Sequence, residues 1–226
     1  MEIFVLVHGA WHGSWCWEKV VPLLSKSGHK VITPDLPGHG DNTGKPVEEI
    51  TMQDYADCVV EVLDGLAEPV ILVGHSMGGR VISQVAEYRP GKVKKLVYLC
   101  AFMPEAKNIE SRMLTQKRLE PLTLSDDALK ELFYADCSDA DFKLAKARLV
   151  PEPRLPRFDS IHVTDKNYGK IPRIYIEILR DQAIVPSRQK QMYTDMPCER
   201  VITMDTSHSP FLSAPEELVR NLISVL

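Results

Sequence analysis

Six short apolar, β-branched runs, separated by stretches of helical periodicity, constrain this sequence more than any other feature. "IFVLV" (3–7), "KVITP" (30–34), "PVILVG" (69–74), "KLVYLCAF" (95–102), "RIYIEIL" (173–179) and "RVITM" (200–204) are too short for helices. Being continuous rather than alternating, they read as strands buried on both faces of a parallel sheet. Between them, Ala56, Val59, Val60, Val62 and Leu63 in 54–66, and Val81, Ile82, Val85 and Ala86 in 76–89, fall at helical spacing. The alternation predicts an α/β chain with a mostly parallel, doubly wound sheet of about six strands.

One stretch breaks the pattern. Residues 104–171 hold no good strand; Ser125 precedes "DDALKELF", and Ser138 with Asp141 forms a capping-box spacing. Leu129, Leu132 and Phe133 form one apolar stripe, and Phe142, Ala145 and Leu149 another, before a proline-rich connector, "PEPRLP" (151–156). A short helical insertion between late strands is expected to cap an active site. The 226 residues then read as one domain, with its core in 1–103 and 172–226.

Charge and cysteine usage exclude several function classes. A formal net charge of -4 argues against a nucleic-acid partner, which needs a basic face. No apolar stretch approaches the roughly 20 residues needed to span a membrane, and the start is read as a core strand rather than a signal peptide. Five scattered cysteines without a C-x-x-C read as reduced thiols in a cytoplasmic protein, with neither a disulfide framework nor a zinc site. No cofactor and no metal is expected. A homodimer is allowed by the pattern and not demanded by it.

"VILVGHSMGGRVISQVAEY" (70–88) places Gly74-His75-Ser76-Met77-Gly78 between an apolar strand and an amphipathic helix. A serine on such a sharp turn is presented above the sheet, and only small residues fit two places before and after it. Ser76 is the candidate nucleophile. Attack on an ester carbonyl creates an oxyanion that needs donors. The Met77 N–H follows the nucleophile, and the Ala10 N–H sits in the loop after the first strand, "HGAWHG". His8 reads as bracing that loop.

A serine needs an imidazole base, and the base an acid that fixes its tautomer. On scaffolds with this elbow the chain order is serine, acid, histidine, the last two on loops after late strands. His208 follows "RVITM"; the other downstream histidine, His162, lies in the insertion. Ser213 and Glu216 form a second capping-box spacing for the helix after His208. Asp181, after "RIYIEILR", is the favoured acid, with Asp205 as rival and Asp195 and Glu105 as weaker candidates. Trp11, Phe102, Phe133, Phe158 and Phe211 are candidate walls of an apolar substrate pocket.

With these residues assembled, the chain resembles the α/β-hydrolase superfamily over essentially its full length. It is most similar to the branch of plant methylesterases, hydroxynitrile lyases and small bacterial carboxylesterases. "FVLVHGAWHGSWCWEKVVPLLSKSGHKVITPDLPGHG" (4–40), "GHSMGG" (74–79), "RDQAIVP" (180–186) and "DTSHSPFLSAPEEL" (205–218) carry the likeness. The resemblance implies an α/β-hydrolase fold and catalytic roles for Ser76, Asp181 and His208, with Ala10 and Met77 as oxyanion donors. Hydroxynitrile lyases of the branch have threonine where this chain has Gly9 and lysine where it has Ser209, which disfavours cyanohydrin cleavage.

The expected activity is cofactor-independent hydrolysis of a small carboxylic ester, rising through roughly pH 6–7 as a histidine base is freed. A lyase or C–C bond hydrolase, a non-enzymatic receptor and acyl transfer to another acceptor remain alternatives on the same scaffold.

Overall fold

The computed structural model of the chain describes residues 1–104 and 124–226. Strands β1 (Ile3–Val7), β2 (Lys30–Ile32), β3 (Val70–His75), β4 (Val93–Leu99), β5 (Arg173–Ile178) and β6 (Arg200–Met204) form one sheet in the order β2-β1-β3-β4-β5-β6. Every neighbouring pair is parallel. The doubly wound α/β expectation is borne out.

Helices α1 (Val20–Lys26), α2 (Met52–Asp64) and α3 (Gly78–Tyr88) serve the first crossovers. From β1 the chain steps to β2 in one direction, then returns past β1 to β3, β4, β5 and β6 in the other. Right-handed crossovers therefore place α1 on one face and α2 and α3 on the other. The reversal falls between β1 and β3. Loops leaving the carboxyl ends of those two strands part there and open a crevice, the usual ligand position in such sheets.

The inner strands are apolar because both of their faces are covered: β1 and β3 are buried at every position. The edges depart from the expectation of uniform burial. β2 has only three residues, none fully buried, and β6 is mostly exposed, because helices cover the edges incompletely. β4 ends at Leu99 rather than 102, since Cys100 turns out of the strand with φ 35°.

Within 104–171, residues 105–123 lie outside the described residues, and with them the candidate acid Glu105. The remainder carries α4 (Asp126–Phe133), α5 (Asp139–Arg148) and the single turn α6 (Leu155–Phe158). Ser125 and Ser138 cap α4 and α5 by accepting the Ala128 and Asp141 N–H groups. The Asp141 carboxylate, however, takes the Ser138 hydroxyl and pairs with Lys19 at 2.7 Å, rather than returning to the Ser138 backbone. A full capping box occurs instead at Thr51 and Asp54, opening α2.

The chain ends with α7 (Pro186–Asp195), α8 (Pro210–Ser213) and α9 (Pro215–Ile223). The predicted box at Ser213 is not formed. Ser213 is consumed by α8, where its hydroxyl donates to the Ser209 carbonyl, and Pro215 opens α9 after Ala214.

Candidate active site

β3 delivers Ser76 into a left-handed conformation, φ 53°. Its N–H donates to Leu99 O at 3.2 Å, and its carbonyl accepts Phe102 N–H at 3.0 Å, so β4 and the segment that follows it hold the strained turn in place. Strand and helix pass almost in contact. A Cβ on Gly74 would stand 2.7 Å from Gly78 O, and one on Gly78 2.6 Å from His8 O. Any larger side chain would force β3, α3 and the loop after β1 apart.

That loop is fixed by its own histidines. His8 Nδ1 donates to Gly9 O at 2.8 Å while Nε2 accepts Leu36 N–H at 3.1 Å. His12 Nδ1 donates to Ala10 O at 2.8 Å and Nε2 accepts the Tyr134 hydroxyl, also at 2.8 Å. Each ring thus donates through one nitrogen and accepts through the other, as neutral imidazole does. Burial keeps both neutral: it holds His8 well below the usual histidine range and lowers His12 to about 4. The Ala10 and Met77 N–H groups, among the described residues, are not spent on backbone carbonyls.

Asp181 and His208, from the loops after β5 and β6, meet in the interior. Asp181 Oδ2 accepts His208 Nδ1 at 2.7 Å, with both side chains almost wholly buried. Asp181 Oδ1 accepts the Ala183 and Ile184 N–H groups, each at 2.8 Å, and Gln189 Nε2 approaches Oδ2 at 3.3 Å. The carboxylate is therefore oriented from both sides. The rival Asp205 is 76% exposed and paired with Arg180 at 3.0 Å, Asp195 closes α7, and His162 is exposed.

His75 points away from the cavity. Its Nε2 donates to the His208 carbonyl at 2.9 Å, and the Cys100 thiol reaches the same carbonyl at 3.7 Å. These two side chains and the His208 ring gather donor atoms within 4.8 Å of one another. Because His75 Nε2 and His208 Nδ1 are already committed to hydrogen bonds, the cluster reads as bracing of His208 rather than as a metal centre.

A cavity of about 70 Å³ opens over Ser76. Ala10, Trp11, Met77, Phe102 and Phe133 line it, together with Arg80, Arg157, Ala183 and Ile184. Phe133 also packs edge-on against His208, 5.5 Å between ring centres. Two candidate walls lie elsewhere. Phe158 is 46% exposed, because the single turn α6 aims it outward. Phe211 is fully buried beneath His75, 4.9 Å between ring centres, so it supports the site from the core.

Several contributors escaped the sequence reading. Arg80 on α3 donates to the carbonyls of Arg157 (2.7 Å) and Asp159, and Arg157 lies 5.5 Å above the Trp11 ring. Gln189 and Tyr134 act through hydrogen bonds that no residue spacing announces.

The buried histidines make a pH prediction. His8, His12 and His75 are all pushed down, chiefly by burial. The unfolded chain takes up protons near pH 6.5 that the native state refuses. Their contribution to stability is thus complete above about pH 6.5 and is lost as pH falls towards the folded values. For His12 alone, a fall from 6.5 to about 4 corresponds to about 3 kcal/mol at pH 4. Urea midpoints measured at pH 7.5 and 4.5 should differ clearly, the acid value being lower; equal midpoints would contradict the assignment.

The model of the "Alpha/beta hydrolase family" matches residues 4–221. Methylesterase 9 of Arabidopsis thaliana is 32% identical over 252 residues, spanning 100% of this chain and 98% of that protein. The crystal structure of polyneuridine aldehyde esterase is similar with a TM-score of 0.90 at 26% identity, covering 100% of this chain and 99% of that one. A pyrethroid hydrolase from Sphingobium faniae JZ-2 is similar with a TM-score of 0.86 at 28% identity, covering 99% and 96%.

Proposed function

The chain belongs to the alpha/beta hydrolase family, and within that family we propose that it is a serine carboxylesterase acting on small esters. One observation carries the reading: Asp181 and His208, 27 residues apart, are hydrogen-bonded beside the cavity that holds Ser76, Ala10 and Met77. Asp181 fixes the tautomer by taking the Nδ1 proton, leaving His208 Nε2 to accept the proton of Ser76 as its oxygen attacks the ester carbonyl. The Ala10 and Met77 N–H groups receive the developing oxyanion. His208 returns the proton to the departing alcohol, and water, activated the same way, releases the acid and restores Ser76.

The chemistry calls for no cofactor. The relatives named methylesterases support a short alcohol portion, and a cavity of about 70 Å³ suits groups of a few heavy atoms, a water needing about 10–15 Å³ on the same scale. Cyanohydrin cleavage is not favoured. A Cβ at Gly9 would lie 2.9 Å from both His75 Nδ1 and Ser76 Cβ, so the site lacks room for a threonine there.

The segment 104–171 serves as the cap in this proposal, with α4 supplying Phe133 to the cavity and the whole chain acting as one domain. Among the described residues no helix is long and apolar enough to cross a membrane. Five cysteines without a disulfide support residence in the reducing cytoplasm.

Pre-steady-state hydrolysis of p-nitrophenyl butyrate tests the function. The expected trace is a burst of one p-nitrophenol per chain followed by steady multiple turnover. A burst with no turnover would favour a receptor or an acyl transferase lacking its acceptor, and the absence of both burst and turnover would refute the esterase.

A further inference from the structure

Glu152 is a buried carboxylate that the proposed reaction does not use. It stands in the connector after α5, its side chain 1% exposed, and accepts three donors: Trp11 N–H at 2.8 Å, His39 Nε2 at 2.9 Å and the Tyr55 hydroxyl at 3.0 Å. Taking a carboxylate out of water is costly unless donors replace the water, and here they come from three separate segments. The one that bears on the site is Trp11. It adopts φ 64°, a left-handed conformation that an L-residue enters only when its surroundings enforce it.

The surroundings of Trp11 are specific. Its N–H goes to Glu152, and its carbonyl accepts Val150 N–H at 3.1 Å. The Ala10–Trp11 peptide is consequently gripped at both edges, by Glu152 on its N–H and by His12 on its carbonyl. The preceding peptide, which carries the Ala10 N–H, is held through Gly9 O by His8. With both planes fixed, the N–H of Ala10, a residue that lines the cavity, has no freedom to turn. Of these holds, Glu152 and Val150 come from far along the chain, 141 residues from Trp11 for the Glu152 bond.

We infer that Glu152 is a positioning residue for ester hydrolysis: by holding the left-handed Trp11 turn it keeps the Ala10 N–H aimed at the oxyanion. The inference rests on the esterase reading above. A donor held in place before reaction stabilises the transition state without reorganisation, whereas one that must first reorient does not. Loss of Glu152 therefore acts on kcat and leaves ground-state binding nearly untouched.

The test compares wild type with Glu152→Ala, Glu152→Asp and Glu152→Gln, using p-nitrophenyl butyrate and an aliphatic trifluoromethyl ketone, whose adduct carries the same oxyanion. Active sites are counted with a fluorophosphonate, so that rates refer to folded protein. Glu152→Ala should lower kcat by roughly 10–10²-fold, less than outright loss of a donor. KM should stay within about twofold, and the ketone should bind more weakly by the same factor as kcat falls. Glu152→Asp, which keeps the charge but draws it back by one methylene, should show the same split more mildly. Glu152→Gln should recover most of the rate. Its amide oxygen can accept Trp11 N–H and His39, and its NH₂ can donate to the Tyr55 oxygen.

A purely structural Glu152 would lower the melting temperature and the count of active sites while leaving per-site kcat and ketone affinity unchanged; that result overturns the inference. So does a Gln variant as impaired as Ala, since charge rather than grip would then matter. If Glu152→Ala does not fold, the Asp variant decides, wild-type kcat and ketone affinity counting against. A wild type that turns over no ester overturns the esterase reading first, which keeps the two failures apart.

Discussion

Ser76→Ala is expected to lower kcat for p-nitrophenyl butyrate by about 10⁴–10⁶-fold, with the melting temperature nearly unchanged. The chemical loss is total: alanine has no oxygen to form the acyl-enzyme, and the oxyanion donors alone give only residual catalysis. The structural loss is small. Both serine and alanine bear a Cβ at φ 53°, so the strain is common to both, and the hydrogen bonds that fix the turn use the Ser76 backbone. The measurement is steady-state turnover of purified variant, with circular dichroism confirming the fold. Turnover within tenfold of wild type would remove Ser76 from the reaction.

Asp181→Asn should lower kcat by about 10⁴-fold, and the geometry says why so slight a change does so much. Asp181 Oδ1 accepts two backbone N–H groups, so an asparagine must place its carbonyl oxygen there. Its NH₂ is then forced into the Oδ2 position, facing His208 Nδ1 and Gln189 Nε2. A donor opposite Nδ1 stabilises the tautomer protonated on Nε2, the nitrogen needed as base. Asp205→Asn is the matched control: an exposed aspartate paired with Arg180 should change kcat by no more than about twofold. Equal losses in the two variants, or a larger one at Asp205, would reverse the assignment of the acid.

How much of this was legible in the sequence differs by element. β1 and β3 were readable because a strand buried on both faces has an unbroken apolar run, and the glycines around Ser76 because a near-contact admits nothing else. The pairing of His208 with Asp181 was readable from chain order combined with the apolar runs of β5 and β6. The capping box at Ser213 misled because a local spacing cannot tell that the preceding residues form their own turn. Phe158 and Phe211 misled because aromatic character does not say which way a ring faces: one looks to solvent, the other into the core. Glu152 and Gln189 gave no signal at all. Their partners lie up to 141 residues away, and a buried polar group is defined by what folds onto it. The "PEP" around Glu152 reads as a connector for that reason.

The strand pairing has a consequence for how the molecule is made. Ile71 lies beside Phe4, and Arg173 beside Leu96, so two of the five pairings, β1 with β3 and β4 with β5, join partners some seventy residues apart. Contacts of such long range are slow to form, since chain entropy is lost before any pairing energy is recovered. Ser76 follows β3 and His208 follows β6, and β4 and β5 lie between those two strands in the sheet. No early intermediate built from the amino-terminal half alone can hold the whole constellation. On refolding, ester turnover should therefore return with the final docking of β5 and β6, later than the helical signal, making activity a clock for the last step of assembly.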